Sequence, residues 1–166
     1  MQKTKTNSIS IVFFTTILSL VSCDAKRVFD EYQTVPNAAW NKNNAISFSF
    51  SINDTLQKRN LFINLRNNKQ YPFSNLFLIT KIDFPDGQKI VDTLEYDMTD
   101  VTGKFLGKGI TDIKENKLFY KENITFPKSG AYTFSVRQAM RKNGEIDGIE
   151  ELKGITDIGF RIEKTQ

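Results

Sequence analysis

Histidine is absent from all 166 residues, and cysteine occurs once, as Cys23. Without histidine there is no Ser-His-Asp triad, no imidazole general base and no His-ligated metal site. One thiol cannot close a disulfide within the chain, so it calls for another explanation. An enzyme built from this composition would have to work with Asp, Glu, Lys, Tyr or Ser, for instance through a glycosidase-like carboxylate pair. No basic block and no Arg-rich aromatic face is present, which argues against nucleic acid as a partner. Long stretches of helical periodicity are missing too, whereas phenylalanine is abundant, with 14 copies.

The single cysteine sits where a purpose can be assigned to it. Lys3 and Lys5 open the chain, and an apolar run follows from Ile9 to Val21. That run is shorter than the ~20 apolar residues a spanning helix needs, and it has the proportions of a secretory signal. It ends in Leu20-Val21-Ser22-Cys23, which resembles the lipobox of bacterial lipoproteins, where the thiol is acylated and the peptide is cut just before it. Each buried CH₂ contributes about 0.8 kcal/mol, and two or more acyl chains hold firmly where one holds only marginally. The expected organisation is a signal over 1–22, a lipidated tether over 23–44 and a folded domain over 45–166. The overall charge is +4, of which Lys3 and Lys5 supply two, leaving +2 on the mature chain. Its 144 residues are single-domain size.

Within the mature chain, 24–44 is polar and lightly patterned, expected to dock through Phe29, Tyr32 or Trp40. Period-2 alternation then dominates. Ile46, Phe48, Phe50 and Ile52 alternate with serines, and Leu61, Ile63 and Leu65 alternate with Phe62 and Asn64. Further strands are expected over 76–84, 90–96, 118–126, 131–136 and 158–162. Turn signals separate them at Asn53-Asp54, Asn67-Asn68, Pro85-Asp86-Gly87, Pro127 to Gly130 and Asn143-Gly144. Short strands so spaced predict an all-β, antiparallel β-sandwich, Ig-like or jelly-roll-like, of about seven or eight strands. Only 137–142 and 149–152 are expected to wind into a helical turn. The hexapeptide Lys108 to Ile113 recurs at Lys153 to Ile158 with different flanks, which predicts two similar turn-to-strand entries rather than a repeat fold.

Several constellations carry candidate chemistry. Asn143, Glu145 and Asp147 before Gly148 resemble half of a calcium loop, but the acid expected later falls at Gly154, so a solvated hairpin tip is the reading adopted. Glu95 and Asp97 lie two apart on one strand face and read as a charged outer surface. Asp54-Thr55-Leu56 and Asp92-Thr93-Leu94 each look like the sites at which Bacteroidota O-glycosylate exported proteins, making Thr55 and Thr93 candidates. Two polar segments mix charge, amide and aromatic groups: NLFINLRN (60–67) and DIKENKLFYK (112–121). They make Asn64, Arg66, Asn67, Lys114, Glu115 and Asn116 the candidate partner contacts, with a solvated loop as the default for 114–117.

The segments NLFINLRN (60–67), YPFSNLFL (71–78), FPDG (84–87), DTLEY (92–96), GKFLGKGITDIKENKLFYKE (103–122), SVRQAMRKNGE (135–145) and LKGITDIGFRIE (152–163) closely resemble the GldH gliding-motility lipoproteins of Bacteroidota. The resemblance spans nearly the whole mature chain and includes Cys23. It implies an envelope lipoprotein, with no enzymatic activity and no cofactor, that serves as an assembly or scaffold component of the gliding apparatus. The implied partners are other envelope proteins of gliding and type IX secretion, and the implied place is the outer membrane with the domain in the periplasm. The alternative from a different class is a glycan-binding β-sandwich lipoprotein, which needs an outward-facing aromatic such as Trp40.

Overall fold

The computed structural model describes residues 24–165. The signal segment and Cys23 lie outside them. Ten strands follow in order: β1 (Arg27–Thr34), β2 (Ala39–Asn41), β3 (Ile46–Ile52), β4 (Arg59–Asn67), β5 (Asn75–Asp83), β6 (Lys89–Asp97), β7 (Lys114–Ile124), β8 (Gly130–Gln138), β9 (Glu151–Lys153) and β10 (Ile155–Lys164). Two four-stranded antiparallel sheets, β1-β10-β4-β7 and β3-β8-β5-β6, face one another, and β2-β9 forms a short ribbon. The eight sandwich strands, counted in chain order without the ribbon, read 1-8-3-6 and 2-7-4-5. Nearly every connection crosses from one sheet to the other. This is the jelly-roll order, so the fold is the expected antiparallel β-sandwich, in its jelly-roll form and with ten strands in all.

The alternation explains the layers. On β3 the isoleucines and phenylalanines point inward and are buried while the serines face out. Leu61, Ile63 and Leu65 of β4 and Ile158, Phe160 and Ile162 of β10 do the same from the other sheet. Aromatic rings fill the gap between sheets: Phe134 stacks on Phe160 at 4.0 Å, and Phe50 lies 5.5 Å from Phe160 and 5.6 Å from Tyr132. The turn signals at 53–54, 85–87 and 143–144 fall between strands as expected, whereas Asn67 closes β4 and Gly130 opens β8; Gly87 takes φ 85° in the 84–88 turn, a region open to glycine.

Three expectations are corrected. First, the boundary at residue 45 falls inside the fold. β1 pairs with β10 from Arg27 to Thr34, and Trp40 of β2 is wholly buried opposite Leu152 of β9. Alternation is faint there because β1 is an edge strand whose two faces are both partly wet. Second, the helical turns at 137–142 and 149–152 are the end of β8, an extended loop and the start of β9. Third, Lys114 to Lys117 is not loop but the first third of β7, in register with Asn67 to Asn64 of β4.

The recurring hexapeptide adopts two environments. At Lys153 to Ile158 it enters β10, with Ile155 and Ile158 buried. There Gly154, at φ 86°, lets the backbone pass so close to Tyr71 that a Cβ would lie 2.2 Å from the Tyr71 nitrogen. At Lys108 to Ile113 it forms the exposed loop before β7, with Ile110 fully in solvent.

Antiparallel order gives the sandwich two unlike ends. One end gathers the start of β1, the turns 53–58, 84–88 and 125–129, and the end of β10. The other gathers the long connections 35–45, 68–74, 98–113 and 139–150 with the β2-β9 ribbon.

Candidate functional site

The outer face of sheet β1-β10-β4-β7 carries an organised polar array. Register places Asp157, Arg66 and Glu115 in one row, and Tyr32, Gly159, Asn64 and Lys117 in the next. Asp30, Arg161, Phe62 and Phe119 form the third. Gly159 leaves the second row open, so the Tyr32 ring lies flat across β10, with its nearest atoms 2.9 Å from where a Cβ would stand. A glycine inside a strand commonly marks such close approach. The ring thereby spans the sheet. Its hydroxyl donates to Glu115 Oε1 on β7 (2.8 Å), and the Arg66 guanidinium lies 4.4 Å from the ring centroid. Arg66 Nε also pairs with Glu115 Oε2 at 3.4 Å. Burial and the Glu115 carboxylate push the Tyr32 phenol well above its ordinary pKa, so it stays a donor.

In the neighbouring rows Lys117 sits 4.0 Å from the Phe62 centroid, Phe62 contacts the half-exposed Phe119 edge-on at 4.5 Å, and Lys117 Nζ pairs with Glu163 at 2.7 Å. Arg161 is the hub at the β1 end. It pairs with Asp30 (2.5 Å), with Glu163 (2.6 Å) and with Asp24, the first described residue. The Arg161 hydrogen bond holds the Asp24 carboxyl below the usual range. Burial alone would raise Glu163, but the pairs with Lys117 and Arg161 outweigh it and bring it down. The chain is therefore pinned to the sheet within one residue of Cys23.

The sequence-derived contacts divide. Asn64, Arg66 and Glu115 meet on this face, Asn64 donating to Asp30 at 3.4 Å. Lys114 stands at the start of β7 and donates to the Gly109 carbonyl (2.7 Å). Asn67 and Asn116 point the other way and are buried. Asn116 Nδ2 donates to Asn67 Oδ1 (2.9 Å) and to the Leu65 carbonyl (3.2 Å), so this pair is internal structure and not a contact surface. One-residue shifts on a strand swap faces, which is why neighbouring polar residues took opposite roles. Asp30 and Arg161 were not singled out by sequence, Lys117 entered only as part of the polar segment 112–121, and Tyr32 only as a residue expected to dock the 24–44 stretch onto the domain. The signal available was the alternation Asp157, Gly159, Arg161, Glu163 on β10, with glycine in the middle.

Elsewhere, Thr55 is half-buried in the 53–58 turn, where Asp54 Oδ1 accepts the amides of Leu56 and Gln57. Thr93 is exposed on edge strand β6, beside an open groove of about 850 Å³ lined by Phe77, Ile79, Arg137 and Arg141. Glu95 accepts from Asn75 Nδ2 (2.8 Å) on the outer face. Among the described residues, no group of three or more acidic or thiol side chains converges as a metal site would require. Asn143 to Gly148 is an exposed tip closed by the Lys142–Glu145 pair at 3.6 Å. Trp40 is sealed in the core, its Nε1 donating to the Asn44 carbonyl (2.9 Å), so the aromatic on which the glycan-binding alternative leaned faces no solvent.

Residues 27–162 match the family described as GldH lipoprotein. The chain belongs to the GldH lipoprotein family. A curated relative from Christiangramia forsetii, "Gliding motility lipoprotein GldH homolog", is 54% identical over 93% of this chain and 94% of its own length. "Gliding motility lipoprotein GldH" from Flavobacterium johnsoniae is 52% identical over 87% and 89%. Among solved structures, the VP2 subviral particle of infectious bursal disease virus superposes with a TM-score of 0.36 and 14% identity. It covers 87% of this chain, which spans about a third (34%) of that one. Family membership makes the protein a lipid-anchored lipoprotein of the cell envelope, and it agrees with the resemblance read from the sequence segments.

Proposed function

We propose that this gliding-motility lipoprotein is a non-enzymatic assembly component of the gliding apparatus, linked to type IX secretion. In this reading Cys23 carries the lipid in the outer membrane, and the sandwich stands in the periplasm. The observation that carries it is the division of labour between the two ends. The chain leaves the lipid attachment site and is clamped at once by Arg161 through Asp24, whereas the far end holds protruding apolar side chains with no core to join. Val101, Ile110 and Ile146 are almost entirely in solvent there. Where exposed apolar side chains adjoin in a contiguous patch they mark contact sites, and the long loops carry three of them to this one end. Beside them, Arg66, Glu115 and Lys114 offer polar partners to a bound protein, while Asn64, only 4% exposed, supports that face through Asp30; Thr55 and Thr93 remain the proposed O-glycosylation sites.

The test is genetic and chemical. Deleting the gene should abolish spreading, wild-type protein should restore it, and Cys23→Ala should not. Photo-crosslinkers at Ile110 and Ile146 should capture envelope proteins of the gliding and secretion machinery in living cells. Full rescue by the unlipidated protein, or crosslinks to no other protein of that machinery, would refute the reading. A native mass spectrum without glycan at Thr55 and Thr93 would remove those two sites.

A further inference from the structure

We propose that Lys26, Arg27, Lys58 and Lys164, with Leu56 at their rim, form a collar that seats the sandwich end-on against an anionic phospholipid surface. The inference rests on lipidation of Cys23 and goes beyond it, because a lipid alone does not set orientation.

The four cations lie together by strand pairing. The Lys164 amide donates to the Lys26 carbonyl (2.8 Å), the Thr165 amide donates to the Lys58 carbonyl (3.1 Å), and Arg27 stands opposite Glu163 in the β1-β10 ladder. All four side chains are exposed, and none forms an ion pair among the described residues. The acids of this end are mostly engaged elsewhere. Asp24 is held by Arg161, Glu163 by Arg161 and Lys117, Asp86 by Lys128, and Asp83 by Lys81 and Lys89. Asp54 accepts the amides of its own turn but keeps its charge, and with exposed Glu122 it leaves two acids without an ion pair against the four cations. Leu56, 87% exposed, projects from the 53–58 turn beside them.

Unpaired cations occur at the far end as well, so charge alone does not choose the membrane side. Covalent geometry does. Cys23 precedes Asp24 by one peptide bond, about 3.8 Å between Cα atoms, and Asp24 is fixed to Arg161. Only Asp24, Ala25 and Lys26 stand between Cys23 and the start of β1. An acyl group on Cys23 therefore brings this end, and not the other, within the ~8 Å over which an anionic surface acts at physiological salt. Each Lys or Arg near such a surface shifts a seating equilibrium roughly 5-fold, so four together shift it by at most roughly 600-fold, and the charges of Asp54 and Glu122 reduce that. Leucine beside such cations enters the interfacial layer, as the apolar face of a surface-bound element does.

The experiment uses the mature lipidated protein on vesicles. Because the Cys23 thiol carries the lipid, Leu56→Cys supplies the single free thiol for an environment-sensitive fluorophore, with Ile110→Cys as the far-end probe. On vesicles containing phosphatidylglycerol, the probe at 56 should show blue-shifted emission and quenching by spin-labelled lipid, and the probe at 110 should show neither. Pure phosphatidylcholine vesicles, high salt, or the combined Lys26→Gln, Arg27→Gln, Lys58→Gln and Lys164→Gln changes should abolish the signal at 56. The same substitutions at Lys104, Lys108, Arg141 and Lys153 should leave it intact. Equal signal on both vesicle types, a signal insensitive to the collar changes, or insertion of position 110 instead would overturn the proposal. Failure to associate with any vesicle would refute the lipid anchor itself, which is a separate and distinguishable result.

Discussion

Replacing Trp40 with alanine separates a tether from a core. Trp40 lies in the stretch that looks like linker by sequence, yet it is wholly buried between the β2-β9 ribbon and the sandwich. Truncating a buried Trp costs about 3–5 kcal/mol through lost transfer energy and the cavity left behind. The Nε1 hydrogen bond to Asn44 adds little, because Asn44 is exposed and its carbonyl can turn to water. A loss near 4 kcal/mol is a large share of the ~5–15 kcal/mol that holds such a domain together. With a urea slope of about 2 kcal/mol/M, the unfolding midpoint should fall by about 2 M, followed by circular dichroism because the sole Trp is gone. Trp40→Phe should recover most of the loss. The wild-type protein supplies an internal check: emission from Trp40 should be blue-shifted, shielded from iodide, and shifted red in step with unfolding. A midpoint change below about 0.5 M, or native Trp40 emission already open to iodide, would refute the placement of 39–41 in the fold.

Asn116→Ala should cost about 1–3 kcal/mol by orphaning the buried Asn67 amide, whereas Arg66→Ala on the outer face should cost under about 1 kcal/mol; paired denaturation curves test the inside-outside assignment. Gly154→Ala should lose more than about 2 kcal/mol, since it meets both a left-handed φ and the Tyr71 backbone, and Gly144→Ala, which meets a left-handed φ (81°) but open space, should lose only about 1 kcal/mol; thermal melts of the two decide it. Asp92 and Glu163 are both held below their ordinary values, in each case because ion pairing outweighs burial. Their folded pKa values lie below the unfolded ones, so their stabilisation is complete above about pH 5 and fades as the pH falls through those lowered values. Glu163→Gln should flatten that acid limb in a pH series of unfolding free energies, and an unchanged slope would count against the Arg161 hub.

Legibility followed the strength of local patterning. β3 could be read directly because a strand with one dry face must alternate, and β4 because its aliphatics recur at 61, 63 and 65, although Phe62 and Asn64 on its other face are covered too. β1 and β2 could not, because an edge strand with wet sides and a three-residue ribbon strand carry too little pattern to register. The array on the outer face was half visible. Asn64 and Arg66 share a face in the sequence itself, but their meeting with Tyr32, 32 positions from Asn64, and with Glu115 depends on which strands lie side by side. The opposite fates of Glu115 and Asn116 likewise depend on a register that the neighbouring strand supplies.

What the chain determines without any fold is covalent and compositional. A basic start and apolar run that resemble an export signal before Cys23, no histidine, no second thiol and strong period-2 alternation lead to the expectation of an exported, lipid-anchored β protein, since these depend only on residue chemistry and near neighbours. Tertiary structure alone decided that the folded domain already begins with β1 at Arg27 and that Trp40 is core. It also decided that one copy of the hexapeptide is buried strand while the other is an exposed loop. The physical reason is the same in each case: burial is a property of the surface a residue meets, and that surface comes from strands distant in sequence.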